Sequence, residues 1–174
     1  MPMAVDRAAY LFFKPAPAGP VRLWSENYGA WDEFDLTDIG HNDDQPWSNY
    51  IRGVAHVLQD AGHALKPIEA VVHGDIPIGA GLSSSAALEV AAARAFMRAS
   101  DIEPDTRDLA LLCQRAENEF VGVKCGIMDQ FVSVHAEADH CLLLDCRSLD
   151  HRLLPLDTHA FTLVVLSLIH ISEP

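Results

Sequence analysis

The mostly apolar run "AVDRAAYLFFKP", residues 4 to 15, with its charges confined to Asp6, Arg7 and Lys14, reads as a strand that Pro15 stops. "APAGP" is a turn. "VRLWSEN" and "WDEFDL" predict a second and a third strand, with the alternation broken around Gly29. Pro46 opens a helix, because proline is favoured at the first helical position. Its apolar stripe is Trp47, Tyr50, Ile51, Val54, Leu58 and Ala61, and Gly62 ends it. "IEAVVHGD", residues 68 to 75, is a half-alternating strand. A glycine-rich loop leads from it into a helix from about Ser84 to Ala99. Pro104 breaks the chain, and Thr106 is placed to cap the next helix, "RDLALLCQRAENEF". "GVKCG" is a turn, and "IMDQFVSVHA" has helical spacing through Met128, Phe131 and Val132. "HCLLLDCR" and "FTLVVLSLI" read as buried strands from their apolar density. Strands, then helices, then strands predict an α+β domain, with no internal repeat and no low-complexity linker.

Composition narrows the function classes. The 174 residues are 49% apolar and 21% charged, which suits one folded domain with a core of its own. The net charge of -13 disfavours nucleic acid and anionic membrane as partners. It leaves room for an anionic ligand, since backbone dipoles oppose the global field locally. Cys113, Cys125, Cys141 and Cys146 form no CxxC pair, and the nine histidines show no HxH or HxxxH spacing. Reduced thiols are expected. Asp6 and Arg7 interrupt the place where a signal peptide needs an apolar run, and Ala160 to Ile171 is too short to span a bilayer. A cytoplasmic location is the expectation.

Three stretches are able to carry chemistry. In "GDIPIGAGLSSSAALEVAAA", residues 74 to 93, Gly79 and Gly81 precede Ser83, Ser84 and Ser85 at a helix start. Glycines let backbone N–H groups approach an anion, and a helix N-terminus carries unpaired donors and partial positive charge. The pattern is neither a Walker A loop nor a dinucleotide fingerprint, so a flexible turn with a serine cap is the alternative. Glu117 lies at the edge of the stripe Leu109, Leu112, Cys113, Ala116 and Phe120. It either serves a cation or snorkels toward Arg115 or Lys124. Asp129, in "CGIMDQF", is either a helix cap or a general base held among apolar neighbours.

Taken together, "PIGAGLSSSAALEV", "AENEFVGVKCGIMDQFVSV" and "HCLLLDCRSLD" resemble the galactokinases of the GHMP family of small-molecule kinases. "PMAVDRAAY" and "WSNYIRGV" extend the likeness over nearly the whole chain to about residue 165. The resemblance implies an ATP-dependent kinase that phosphorylates galactose at O1, with ATP and Mg2+ required. By this likeness Gly79, Gly81, Ser83, Ser84 and Ser85 cradle phosphates, and Ser85 and Glu117 hold Mg2+. Asp129 faces the C1 hydroxyl of the sugar as base or orienter, Gly126 contacts the sugar, and Trp47 lies near the nucleotide base. The implied fold is the GHMP N-terminal domain, ribosomal protein S5 domain 2-like. A monomer is implied, with small-molecule substrates only.

The same likeness implies departures. A sugar-recognition motif of the kind GRVNLIGEHTDY precedes the "PMA" segment in that family, and a third glycine-rich motif lies in its C-terminal half. The expectation is therefore an incomplete domain over residues 1–165, truncated at both ends, with 166–174, in "SLIHISEP", a non-native tail. Such a piece alone is expected to lack kinase activity and to fold poorly. The alternatives are a kinase for a related sugar such as N-acetylgalactosamine, or a non-catalytic sensor that binds galactose and ATP. The intact "GLSSSAAL" favours an enzyme over a sensor.

Overall fold

The computed structural model describes residues 1–77, 80–103, 105–157 and 164. A four-stranded sheet comes first, made of β1 (Ala9–Pro15), β2 (Val21–Ser25), β3 (Ala30–Phe34) and β4 (Ile68–Gly74). Its spatial order is β1-β4-β2-β3, with β4 antiparallel to β1 and parallel to β2. The β2–β3 hairpin turns at Gly29, whose φ of +59° suits a residue without Cβ. Helices α1 (Asn49–Asp60), α2 (Ser84–Ala99), α3 (Thr106–Arg115) and α4 (Met128–His135) follow, then a hairpin of β5 (His140–Leu144) and β6 (His151–Pro155). This is the expected α+β order.

Alternation along the strands sends Leu23, Ile68, Ala70 and Val72 into a core shared with Ile51, Val54, Leu58, Val90 and Phe96 of α1 and α2. The opposite face leaves Phe12 and Trp31 exposed. Helix α2 buries Ala86, Ala92, Ala93, Ala95 and Ala99, and these small side chains let α1, α3, α4 and β1 all approach it closely. A second cluster of Ala110, Ile127, Phe131, Val132 and Leu142 joins α3, α4 and β5. Among the described residues no helix is long and apolar enough to cross a membrane.

Several elements differ from the expectation. The first strand begins at Ala9, because beyond Gly74 the partner strand gives way to Asp75, whose side chain accepts from Ala8 N–H at 2.6 Å. Pro46 opens a 3-10 turn (Pro46–Ser48), and the α-helix proper starts at Asn49; Ala61 of the predicted stripe is exposed. Asp105, not Thr106, caps α3: its carboxylate accepts from Arg107 and Asp108 N–H at 2.9 and 3.1 Å. Helix α3 does not run regularly to Phe120 but widens into a π turn over Ala116–Val121. Strand β6 was not expected. It pairs with β5, while Leu142 N–H bonds the Pro2 carbonyl at 2.8 Å, so β5 has partners on both sides. Only Cys141 and Leu142 of β5 are buried; as successive residues they lie on opposite faces of the ribbon. Pro104, the predicted strand "FTLVVLSLI" apart from Val164, and the tail 166–174 lie outside the described residues.

One buried ion pair fixes α1 to the sheet. Arg52 donates to both carboxylate oxygens of Asp32 at 2.8 and 2.7 Å, and its side chain and that of Asp32 are 8% and 3% exposed. Its guanidinium also bonds the Gly40 and Glu33 carbonyls and lies 4.6 Å above the Phe34 ring centroid. Burial raises the Asp32 pKa, but the bonds from Arg52 and Asn42 outweigh it and hold the carboxyl below its usual range. Arg52→Ala leaves the buried Asp32 carboxylate without its cation, with only neutral donors such as Asn42, and should cost about 3–5 kcal/mol. Urea unfolding midpoints measure it, and the double variant Arg52→Met with Asp32→Leu should recover part of the loss.

Candidate active site

The start of α2 keeps its donors unspent. Gly81 and Ser83 take left-handed φ values of +71° and +58° on the way in. For Ser83 that conformation is costly, on the order of 1–2 kcal/mol. Ser83 is the N-cap, yet its side chain makes no capping bond, and no acidic residue occupies the first turn. The serine-cap alternative is thereby overturned: nothing in the first turn neutralises the positive end of the helix.

Two pockets share this helix start as a wall. Ser84 and Ser85 line one of about 280 Å3, together with Asn27, Tyr28, Trp47 and Tyr50. Gly81 and Ser83 line the other, of about 550 Å3, with Arg7, Arg94 and Asp129. Gly79 lies outside the described residues.

The smaller pocket is aromatic. The Tyr28 and Trp47 rings stack with centroids 6.1 Å apart and 11° between planes. Trp47 is only 6% exposed, and its Nε1 donates to Gln45 Oε1 at 2.9 Å, so the indole is held rigidly in the wall. Asn27 clamps the ends of β2 and β4 by bonding both Gly74 N–H and Gly74 C=O at 2.8 Å. A flat, partly apolar ligand fits such a wall.

The larger pocket sets three charged side chains, Arg7, Arg94 and Asp129, in a largely apolar lining. Asp129 is half-buried in the first turn of α4. The N-cap of that helix is Ile127, and no side chain caps it, so Asp129 is not a capping residue. The N-terminal segment closes the pocket, held by Asp75 through Ala8 N–H and through Arg7 at 3.8 Å. Gly126 is exposed and does not line the pocket with Asp129.

Behind both pockets lies a buried acidic pair. Glu117 sits on the π turn and is 5% exposed; Glu89, on α2, is fully buried. Gln130 Nε2 donates to Glu117 Oε2 at 2.6 Å and to Glu89 Oε2 at 3.1 Å. Cys125 Sγ donates to the same Glu117 oxygen at 3.1 Å. The surface reading of Glu117 is therefore overturned: Arg115 pairs with Glu119 and Asp60, and Lys124 donates to the Asn118 carbonyl. Burial, then the nearby Glu117 charge, pushes the Glu89 pKa up to about 9, so Glu89 is a carboxylic acid at neutral pH. Burial and the bond to Glu117 push the Cys125 thiol up to about 12. The Tyr50 phenol, on the wall of the aromatic pocket, is raised by burial and then by Glu117 and Glu89.

The donor set suits a hard cation. Both side-chain bonds to Glu117 end on Oε2, leaving Oε1 without a protein donor among the described residues. These residues contain no cluster of three acids, histidines or cysteines able to cage a metal. Ser85 lines the aromatic pocket and Glu117 lines neither pocket, so a cation shared by that hydroxyl and that carboxylate would need phosphate oxygens and water to complete its shell. Sequence reading missed Glu89, Gln130 and Tyr50. The signal for Glu89 was present: it lies three residues after Ala86 and four before Ala93, on the buried stripe of α2.

Comparison with known proteins bears on the family and the fold. The GHMP kinases N terminal domain matches residues 49–137. The galactokinase of Chloroflexus aggregans (strain MD-66 / DSM 9485) is 46% identical over 157 residues, 90% of this chain and 40% of that protein. The galactokinase of Chloroflexus aurantiacus (strain ATCC 29366 / DSM 635 / J-10-fl) is 44% identical over 94% of this chain and 42% of its own length. The crystal structure of Lactococcus lactis galactokinase complexed with galactose superposes with a TM-score of 0.83 at 32% identity, covering 88% of this chain and 40% of that one. A mevalonate kinase structure shares the fold alone, with a TM-score of 0.63 at 19% identity. The chain thus spans about two fifths of the length of the galactokinases it matches.

The buried acid has a pH signature. Glu89 binds its proton in the folded protein up to about 9 and in the unfolded chain only up to about its ordinary 4.5. The folded state therefore holds the extra proton between those values, and stability falls as pH rises through that window. Glu89→Gln removes the dependence. Its melting temperature should gain on the wild type between pH 5 and pH 8; parallel melting curves across that range would show that Glu89 is ionised.

Proposed function

Because the chain belongs to the GHMP kinase family, we propose that the protein containing it transfers the γ-phosphoryl group of ATP to O1 of galactose. The observation that carries this reading is the uncapped start of α2 standing between two pockets, one aromatic and one holding Asp129. Such a wall lets phosphates lie against backbone N–H groups, with the base on one side and the acceptor on the other.

In this reading Tyr28 and Trp47 bind the base, and Ser84 and Ser85 meet the phosphates from the aromatic side. Gly81 and Ser83 meet them from the sugar side, and Gly79 continues the same loop. Glu117 and the Ser85 hydroxyl would hold Mg2+, which neutralises charge on the β- and γ-phosphates when bound. The galactose O1 attacks the γ-phosphorus, the bond to the β–γ bridging oxygen breaks, and the O1 proton passes to the Asp129 carboxylate. Little covalent work falls to the protein; its contribution is position and charge. Gly126 then acts by shaping the turn that leads into α4 rather than by lining the pocket itself.

Galactose-dependent release of ADP from MgATP by the intact protein tests the proposal. No turnover with galactose beside turnover with N-acetylgalactosamine, mevalonate or homoserine would reassign the substrate. Binding of galactose and ATP without turnover would make it a sensor. Asp129→Asn keeps the shape but cannot take the proton, and kcat should fall about 100-fold or more with nucleotide affinity little changed. Ser85→Ala and Glu117→Gln should each raise the Mg2+ concentration needed for half-maximal rate. Unchanged magnesium titrations in both would remove these residues from the metal site.

A further inference from the structure

One amide joins the elements on which the proposed chemistry depends. Gln130 Nε2 lies within hydrogen-bond distance of two carboxylate oxygens from different elements, Glu89 on α2 and Glu117 on the π turn. Two acceptors on that atom settle which end of the amide is nitrogen. Gln130 itself is fully buried and follows Asp129 directly in α4. It spends one N–H on each acid, so its orientation is defined only while both are in place.

Two oxygens of this group have no hydrogen-bond partner: Glu89 Oε1 and Gln130 Oε1. Both are buried, and both belong to side chains already joined at their other ends. The bonds from Nε2 to Glu89 Oε2 and Glu117 Oε2 fix the amide plane of Gln130 between the two acids. The π turn supplies the other half of the placement. Gly53 of α1 leaves room for Phe120, whose Cβ would lie 3.0 Å from an added methyl, and Gly122 N–H reaches back to the Glu117 carbonyl at 3.0 Å.

Resting on the kinase reading above, we propose that Gln130 is a positioning residue for phosphoryl transfer: locked by Glu89, it holds Glu117 by Oε2 and so presents Oε1 to the metal–nucleotide complex. It fixes three things relative to one another: the helix that starts at the phosphate loop, the metal-directed carboxylate, and the turn that carries Asp129. A residue that merely filled the core would support melting temperature without setting metal affinity.

The experiment uses the intact protein and two readouts. Mn2+ binding in the presence of ATP, followed by electron paramagnetic resonance, reports the metal site without turnover. The Mg2+ dependence of galactose phosphorylation reports it with turnover. Gln130→Met preserves volume and removes the amide. It should weaken Mn2+ binding and raise the Mg2+ activation constant about 10-fold, a size usual for losing a residue that orients a metal ligand. Glu89→Leu should do the same, and serves if Gln130→Met does not fold. Glu89→Gln, which keeps an acceptor for the Gln130 amide, should rescue metal affinity to within about 2-fold of wild type. Wild-type metal constants in Gln130→Met or Glu89→Leu, whatever their melting temperatures, overturn the proposal, as does failure of the Glu89→Gln rescue. Absence of galactose turnover in the wild type would sink the assigned reaction instead, leaving the Mn2+ measurement to judge Gln130.

Discussion

A helix that starts without a cap constrains the rest of this fold. Helix α2 forgoes a side-chain bond at Ser83 and accepts a left-handed serine there. A cap of that kind is worth about 1 kcal/mol, and the φ value adds a cost of similar size. The helix survives because its stability is tertiary: five alanines and Phe96 are buried against α1, α3, α4 and β1. Local stability and ligand binding would compete for the same N–H groups. Placing the stabilising contacts further along the helix removes the competition. Asp75 and Asn27 serve the same end from outside, by tying the N-terminal segment and the strand ends around the loop.

Buried acids are the second constraint. Two carboxyl groups behind the pockets are expensive unless protonated, bonded or matched by a cation. Glu89 takes the first solution and Glu117 takes the second, with Gln130 and Cys125 as donors. The contrast with Asp32 is instructive. There a buried arginine makes two bonds to the acid, and the carboxyl is held low. No such guanidinium reaches Glu117 among the described residues, and in the kinase reading proposed above its second oxygen is kept for a cation from outside. On that reading the protein separates its structural acid, fully matched within the fold, from the one assigned to the metal.

Much of the fold was legible because its periods are clean. The places of β1 to β4 and the Ser84–Ala99 span of α2 follow from local rules, while Pro46 opens only the 3-10 turn ahead of α1. Errors arose where a local rule met a tertiary demand. A regular helix through Phe120 puts Glu117 at a stripe edge, but the close approach of Phe120 to Gly53 accompanies a π turn that turns it inward. Asp105 outcompetes Thr106 as cap because a charged acceptor takes two N–H groups at once. Strand β6 carries too few apolar residues to stand out, and it exists because β5 offers it an edge. The site motifs were visible as motifs. Their spatial order was not: nothing local says that Ser85 faces an aromatic pocket while Ser83 faces Asp129.

That division also reconciles the charge of the chain with the nucleotide proposed as its ligand. A net charge of -13 repels a nucleotide at a distance. Close in, the field is set by groups within a few ångströms, and water exclusion strengthens each of them. Around the larger pocket these are the open end of α2, Arg94 and Arg7, the last partly matched by Asp75. Around the smaller one they are backbone and hydroxyl donors with no acid in the lining. The acids nearest the start of α2 are kept neutral, as Glu89, or turned to donors, as Glu117. An acidic surface then costs the site little, because the charge that would repel phosphate lies outside the two pockets. Asp129 is the exception, and its place at the far side of the wall is where negative charge helps: it can accept a proton there without facing the phosphates from the nucleotide side.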